Sequence, residues 1–513
     1  LGALAKCYTA GGGFLTLLAY HKGIAMAIID LLIFIVYMLG MLGVGYYFHI
    51  RNTGVEDYYV GGRGMGKWHI GLSVVATDVG GGFSIGLGGL GFLIGISGSW
   101  MLFTGLLGAW ISGIFLIPKI KRLSDKHRFF TFPEVFLHFF GSRAALLAGL
   151  ISGIGYLGFT SSQLLAGAKL ASAAFISLDL STALVVMGFV AVGYTVLGGI
   201  KAVIYTDTVQ WILLMSGLIF LAIPMAWIAV GGWENISASL PPEFFSFTNL
   251  TWQQFLNWMV TILPIWFVGM TLYQRIYASK SATEARKAWY IAGLFEWPVM
   301  AFMGVGLGLI SRVAFQDGMF VPLGFSPEGQ IDAEMGLPLL LRTIMPAGLL
   351  GLMLSAYFSA ILSTADSCLM ASSSNLLHDL IQKLFPQAIS QKSAMKWSKL
   401  LTLLLGIIAV FIALNLSEVL SLMLYSYAFM VSGLLVPLIA AVFAGQRSET
   451  AAILSMFAGG GTTLGLIVSG AELPFGLDAN VFGITASLFT FLICIYISGS
   501  ANKLLKYENT YRN

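Results

Sequence analysis

Runs of about 20 apolar residues recur along this chain from residue 26 to residue 499, separated by short polar stretches. That is the length an α-helix needs to cross a hydrocarbon core about 30 Å thick. Inside such a core every backbone N–H and C=O must find a partner within the protein, which leaves helices or closed barrels. A barrel would show segments of about ten residues alternating apolar and polar, and none are visible. Only 10% of the 513 residues are charged, against the quarter or so usual in soluble domains. The expected fold class is an all-α polytopic membrane protein. The net charge of +4 then reflects topology rather than affinity for nucleic acid. Cys7, Cys368 and Cys494 lie too far apart for a metal motif or a disulfide framework. No Walker A sequence is present, so ATP-driven transport has no support.

Hydropathy divides the chain into thirteen spans, numbered from 0. Span 0 covers 26–49. Spans 1 to 5 cover 66–95, 98–118, 143–176, 181–197 and 205–231. Spans 6 to 10 cover 253–278, 287–315, 337–377, 397–416 and 418–443. Two accessory spans, 449–470 and 479–499, complete a segment 449–500 before a tail at 501–513. Residues 1–25 hold no comparable run and read as an N-terminal extension without a role. An odd number of spans puts the two ends on opposite sides. With the N-terminus outside and the C-terminus in the cytoplasm, 22 of the 27 basic residues fall in inner loops, Arg275 counted among them. That imbalance is the one the positive-inside rule requires.

A charge at the bilayer centre costs about 2.5–3.5 kcal/mol on insertion scales, so each needs a reason. Asp78 lies in span 1, Glu296 in span 7 and Asp366 in span 8, with Asp207 near the inner end of span 5. Glu296, followed by Trp297 and Pro298, reads as a neutral, hydrogen-bonded packing residue. Asp78 is followed by Gly80, Gly81 and Gly82, each disfavouring helix by about 1 kcal/mol relative to alanine. An interruption there frees carbonyl oxygens beside a carboxylate, which suits a hard cation. The alternative is close helix packing through small residues. In span 8, Ser355, Ser359, Ser363 and Ser367 recur every four residues and share one face, with Thr364 and Asp366 beside it. Such a stripe either bonds its own backbone or complements the interruption. Span 6, five spans after span 1, carries Pro264 and Gly269. Paired interruptions in two halves, 66–231 and 253–443, point to an inverted-repeat secondary transporter.

Six segments in order carry a resemblance: DYYVGGRGMGKW (57–68), ATDVGGGFSIGLGGLGFLIGISGSW (76–100), TFPEVF (131–136), YTVLGGIKAVIYTDTVQ (194–210), LYQRIYASKSATEA (272–285) and LSAYFSAILSTADS (354–367). Together they resemble the sodium:solute symporter family. Span 1 is most similar to its bacterial sodium/proline branch, and span 8 is also similar to choline-type members. The resemblance implies a leucine-transporter-like 5+5 inverted-repeat core, with sodium bound between spans 1 and 8. Its ligands would be the carbonyls of Ala76, Val79 and Ala360 and the hydroxyls of Ser363 and Thr364. Asp78 would couple ion to solute, and Arg63 and Asp207 match family positions on the inner side. A second sodium would lie at Asp207 with Ser363, Asp366 and Ser367.

The implied solute pocket is formed by Gly81, Gly82, Phe83, Ser99, Trp100, Phe159, Ile262 and Trp266. Ser99 and Phe83 replace polar side chains of sugar-type members, which argues against a galactose-like solute. A small amino acid such as proline, a carboxylate or a quaternary amine over Trp266 fits better. The expected function is sodium-coupled import of a small organic solute by alternating access, without enzymatic chemistry, in a plasma membrane of the bacterial inner-membrane kind. A galactose- or sialic-acid-type symporter is the alternative, and a channel, uniporter or sensor on the same scaffold is more remote.

Overall fold

With no water at membrane depth, each apolar run closes its backbone hydrogen bonds on itself. The computed structural model describes residues 28–51, 60–78, 80–175, 178–197, 200–384 and 391–510. Among them there is no strand, and a lone backbone bridge joins Met65 to Ser279. The helices used below begin with α1 (Ile28–Arg51), α2 (Lys67–Asp78), α3 (Gly80–Ile94) and α4 (Trp100–Phe115). Then come α5 (Ser142–Ala174), α6 (Leu180–Leu197), α7 (Ile200–Gly217), α8 (Trp252–Val268) and α9 (Met270–Ala278). α10 (Ala282–Leu294) runs through a π-helical turn at Phe295–Met300 into α11 (Ala301–Gln316). The remainder are α12 (Leu349–Ser374), α13 (Gln391–Leu414), α14 (Val419–Ala444), α15 (Glu449–Ser469) and α16 (Ala479–Thr510).

Nine helices among the described residues are long and apolar enough to cross a membrane, ten if α8 and α9, bent by 41° at Gly269, count as one. Two shorter apolar helices, Ile28–Gly40 and Leu180–Gly193, lie where spans 0 and 4 are expected. The thirteen-span reading also divides the continuous run 85–115, where Gly95 turns the backbone with φ +69°. Span 8 needs correcting. Residues 337–377 are not one helix, because Gly336–Ile344 ends before Pro346, and α12 starts only after Gly348, at φ +88°.

Both expected interruptions are present, at slightly different places. Span 1 breaks between Asp78 and Gly80, so the glycines open its second half instead of forming the gap. Span 6 breaks at Gly269, whose ψ of 114° is extended, while Pro264 stays within α8. Contacts around the broken helices are reciprocal. α2 packs on α10 and α3 on α11, while α8 packs on α4. The α3–α11 contact is backbone to backbone: a Cβ on Gly308 would stand 2.0 Å from the carbonyl oxygen of Gly88. Small residues supply this close approach where no hydrophobic effect drives helices together.

α12 is the most enclosed element. In its apolar window 89% is buried, against 17% for the 479–498 window of α16, which places α12 at the centre and α16 at the lipid-facing edge. The start of α12 is capped from another helix: Asp30 of α1 accepts from the amides of Gly348 and Gly351 at 2.6 and 2.7 Å. Helix N-termini leave such donors unpaired, and a carboxylate there also meets the favourable end of the helix dipole. Asp30→Ala is expected to destabilise the fold by about 1–2 kcal/mol. Thermal unfolding in detergent should show a lower midpoint for Asp30→Ala and a partial return with Asp30→Asn.

A second carboxylate fastens the start of another helix. Glu334, nearly buried, accepts from the amides of Val419 and Leu420 at the start of α14, at 2.9 and 3.0 Å. Lys169 of α5 is 1% exposed and donates to Glu334 at 2.6 Å and to Asp332 at 2.5 Å. The lysine that hydropathy leaves inside span 3 is thus paired.

Candidate cation and solute site

The break in span 1 leaves backbone carbonyls in the middle of the bundle, and α12 brings hydroxyls to meet them. The Thr364 hydroxyl lies 3.2 Å from the carbonyl oxygen of Ala76 on α2 and 3.1 Å from that of Ala360 on its own helix. Gly80 permits this approach: its φ is +27°, and a Cβ there would stand 2.4 Å from Thr364 Oγ1. Ala76, Gly80, Ala360 and Ser363 line a small cavity together with Asp207, Gln210 and Trp211 of α7. Four of the five expected sodium ligands therefore converge. Val79 lies outside the described residues, as do the side chains of Asp78 and Phe83 and the surroundings of Gly81 and Gly82. The donors are carbonyl and hydroxyl oxygens, the set a hard monovalent cation takes. The buried Oε1 of Gln210, facing the same cavity, has no hydrogen-bond partner.

The hydroxyl stripe of α12 divides in two. Its outer members bond locally, Ser355 to the Gly351 carbonyl and Ser359 to the Ala356 carbonyl and to Tyr37 of α1. Its inner members cross to other helices: Ser363 donates to Asp207, and Ser367 accepts from Arg275 at 3.2 Å.

Arg275 is the residue the sequence misplaces most. Counted among inner-loop cations, it is fully buried on α9 and ion-paired to Asp207, also fully buried, at 3.2 Å. Its guanidinium also donates to Ser73 Oγ at 3.0 Å, Thr77 Oγ1 at 2.5 Å and the Thr271 carbonyl at 3.1 Å. Ser73 in turn donates to Asp207 at 2.5 Å. One side chain thus joins α2, α7, α9 and α12. Charge-assisted bonds in a planar fork of this kind are about twice as strong as neutral ones. Asp366 stands apart from this network. Its Oδ1 accepts from Thr195 of α6, and its buried Oδ2 has no hydrogen-bond partner. The second expected cation set is therefore only partly assembled, with Arg275 as the positive charge against Asp207.

Of the expected solute residues, Phe159 of α5 meets the region of the α8–α9 break. Its ring lies 5.0 Å from that of Tyr427 on α14 and 6.4 Å from that of Tyr156. Tyr156 Oη accepts from the Thr271 amide at 3.1 Å, two residues past Gly269. Tyr156, Thr271 and Tyr427 are missing from the sequence-based set, although Tyr156 sits three residues before Phe159 on the same helical face. Ile262 is buried on α8. Trp266 instead lodges against Gly108 of α4 and the Trp289 ring of α10, 6.2 Å away. Ser99 is buried in the turn between α3 and α4. Trp100 follows it and donates to the Phe247 carbonyl of an outer loop at 2.9 Å. Trp266 and Tyr427 thus pack against different neighbours, Trp289 for the one and Phe159 for the other.

Arg63 precedes α2, and its guanidinium donates to Ser124 Oγ at 2.9 Å and to the Phe129 carbonyl at 2.7 Å. Both acceptors follow the loop helix Ile117–His127 or belong to it. On that helix Lys121 is buried between Asp125 and the Tyr277 carbonyl; burial pushes its ammonium below the usual lysine range, and Asp125 opposes that. The Met65 amide donates to the Ala278 carbonyl at 3.1 Å, and the Lys280 amide donates back to the Met65 carbonyl at 3.0 Å. The start of α2 and the end of α9 are therefore tied together. Glu296 is fully buried against Gly105 of α4, in keeping with a packing role.

Residues 58–459 match the sequence profile of the sodium:solute symporter family. The high-affinity proline transporter PutP of Bacillus subtilis is 26% identical over 92% of this chain and 99% of its own length. The sodium/proline symporter of Escherichia coli is 28% identical over 78% of this chain and 80% of its own. Among solved structures, a sodium-coupled sialic acid symporter in a substrate-bound outward-open state superposes with a TM-score of 0.76 at 23% identity, over 91% of this chain and 97% of that one. At that identity the likeness speaks for the fold, which is that of the leucine-transporter-like sodium symporters.

Proposed function

The chain belongs to the sodium:solute symporter family, and on that premise we propose where its ion and solute meet. It is a multi-pass membrane protein and a sodium-coupled symporter of a small organic solute, not an enzyme. In this reading the coupling sodium sits between α2 and α12, held by the carbonyls of Ala76 and Ala360 and the hydroxyls of Ser363 and Thr364, with Val79 completing the set and Asp78 beside it. The observation that carries the reading is Thr364, whose hydroxyl spans carbonyls of two helices across a side-chain-free glycine. A sodium ion there would bond both helices at once, so its arrival and departure would change their relative free energy. That is what coupling to alternating access needs. The two halves 66–231 and 253–443 act as inverted repeats, a division supported by the reciprocal packing of the broken helices.

The solute lies at the α8–α9 break, against Phe159, Tyr156 and Tyr427. Two curated relatives are proline transporters, and the lining is aromatic, so a small zwitterionic amino acid such as proline is the solute class. The N-terminus lies outside and the C-terminus in the cytoplasm of a bacterial inner membrane. The test is uptake into proteoliposomes under an inward sodium gradient. Sodium-dependent accumulation of proline above equilibrium supports the reading. Equilibration without accumulation would make the protein a uniporter, and accumulation of myo-inositol or sialic acid in place of proline would move it to the sugar-type branch.

A second cation at Asp207, with Asp366 and Ser367, has to displace or share the Asp207 carboxylate with Arg275. Two nearby carboxylates repel unless a cation or proton lies between them. Asp366→Ala is expected to lower the sodium Hill coefficient of uptake toward 1. An unchanged Hill coefficient and stoichiometry would remove this second site and leave the first intact.

A further inference from the structure

Between α6 and α13 an apolar groove opens toward the lipid, lined by Gly188, Phe189, Gly193, Leu403, Gly406 and Ile407, with Lys399 at one end. Phe189 is 83% exposed and Ile407 59%, so both helices turn bare hydrocarbon surface outward on either side of it. Lys396, also exposed, falls on the same helical face as Lys399, Leu403 and Val410, one turn beyond the groove's end. Trp397, half exposed beside it, marks the depth of a membrane interface, where tryptophan and lysine collect. The sequence of α13 holds no acidic residue, and neither does that of α6, so no carboxylate on either wall answers the two lysines. From Lys399 to Val410, both of which line the groove, the helix rises about 16 Å. That is half of a hydrocarbon core about 30 Å thick, the depth of one leaflet.

We propose that this groove holds one acyl chain of an anionic phospholipid, with its phosphate on Lys396 and Lys399. Length, apolar lining and a basic end at interface depth select this occupant over a zwitterionic lipid, whose headgroup cation offsets the attraction of its phosphate to the lysines. Basic clusters of this kind attract anionic headgroups within a Debye length of the surface. The site has a route to the transport machinery. Val192, on the groove wall, packs with Leu405 and with Leu369 of α12 in a small core of its own. One turn further along α6, Thr195 holds Asp366. An occupied groove therefore stiffens the helix that positions an intramembrane carboxylate.

Two substitutions probe the two halves of the proposal independently. A Cβ built on Gly193 meets nothing within 4 Å, so the backbone there has room for a side chain and Gly193→Leu extends into the groove. Lys396→Gln with Lys399→Gln removes the basic end and leaves the groove open. The measurement is native mass spectrometry of the purified full chain, titrated with phosphatidylglycerol or phosphatidylcholine, with thermal unfolding in parallel. Wild type is expected to retain phosphatidylglycerol at least tenfold more tightly than phosphatidylcholine. The double glutamine variant should lose that preference, and Gly193→Leu should weaken both lipids. Equal retention of the two lipids by wild type would overturn the proposal, as would phosphatidylglycerol retention unchanged in both variants. A protein dimer that Gly193→Leu abolishes would assign the groove to a second copy and overturn it too.

Discussion

Uptake by the Ser363→Ala/Thr364→Ala double variant is expected to need at least tenfold more sodium for its half-maximal rate. Thr364 reaches the carbonyls of Ala76 and Ala360, and Ser363 lines the same cavity. Interactions with a charged partner contribute about 1.5–3 kcal/mol each, and 1.4 kcal/mol is a factor of ten in affinity. Losing two oxygen ligands from so small a set should therefore exceed tenfold unless water replaces them fully. Thr364→Ser keeps the oxygen and should stay near wild type. Ser359→Ala, whose hydroxyl bonds the Ala356 carbonyl and Tyr37, serves as a control with little effect on sodium dependence. Initial rates of solute uptake across a sodium series measure all four. A double variant with wild-type sodium dependence would show that the ion binds elsewhere.

Arg275→Met should be the most damaging single change. It removes the positive charge from a fully buried pair and leaves Asp207 with only hydroxyls around it. Breaking a buried pair from one side costs about 3–5 kcal/mol, because the remaining charge stays desolvated without compensation. Thermal unfolding should show a large drop in midpoint and uptake should be lost. Arg275→Met combined with Asp207→Asn removes both charges and should recover most of the stability, since the pair as a whole contributes far less than either half left alone. Transport by the double variant should remain impaired, because four helices lose their common fastening. A single variant as stable as wild type would mean that Asp207 finds another cation, which is the behaviour expected of a sodium site at that carboxylate.

Hydropathy and charge placement are enough to show a polytopic helical protein, because lipid tolerates so few alternatives. The interruptions were legible too, since glycine runs and proline act on the backbone locally. Their exact positions were not. Gly80 is needed for its missing side chain against Thr364 rather than as a helix breaker, a reason that exists only once α12 is in place. The hydroxyl stripe was visible as a period of four, yet nothing in that period separates Ser359, bonded locally, from Ser363, bonded across helices.

Arg275 was misplaced for a related reason. A basic residue near the end of a span is ordinarily a loop residue, and only tertiary structure shows that its partner, Asp207, waits 68 positions earlier. The aromatic residues around the α8–α9 break illustrate the limit for solutes. Trp266 and Tyr427 are both buried aromatic residues, and no sequence pattern shows that one packs against Gly108 while the other meets Phe159.

Glu334 has a mechanical consequence. Both of its carboxylate oxygens are committed to the first amides of α14, and its lysine partner is rooted in α5. The segment carrying it continues directly into Gly336–Ile344. A tilt of α14 therefore cannot leave that segment behind while these bonds last. The segment is geared to the helix and follows its inclination as a shutter follows its crank.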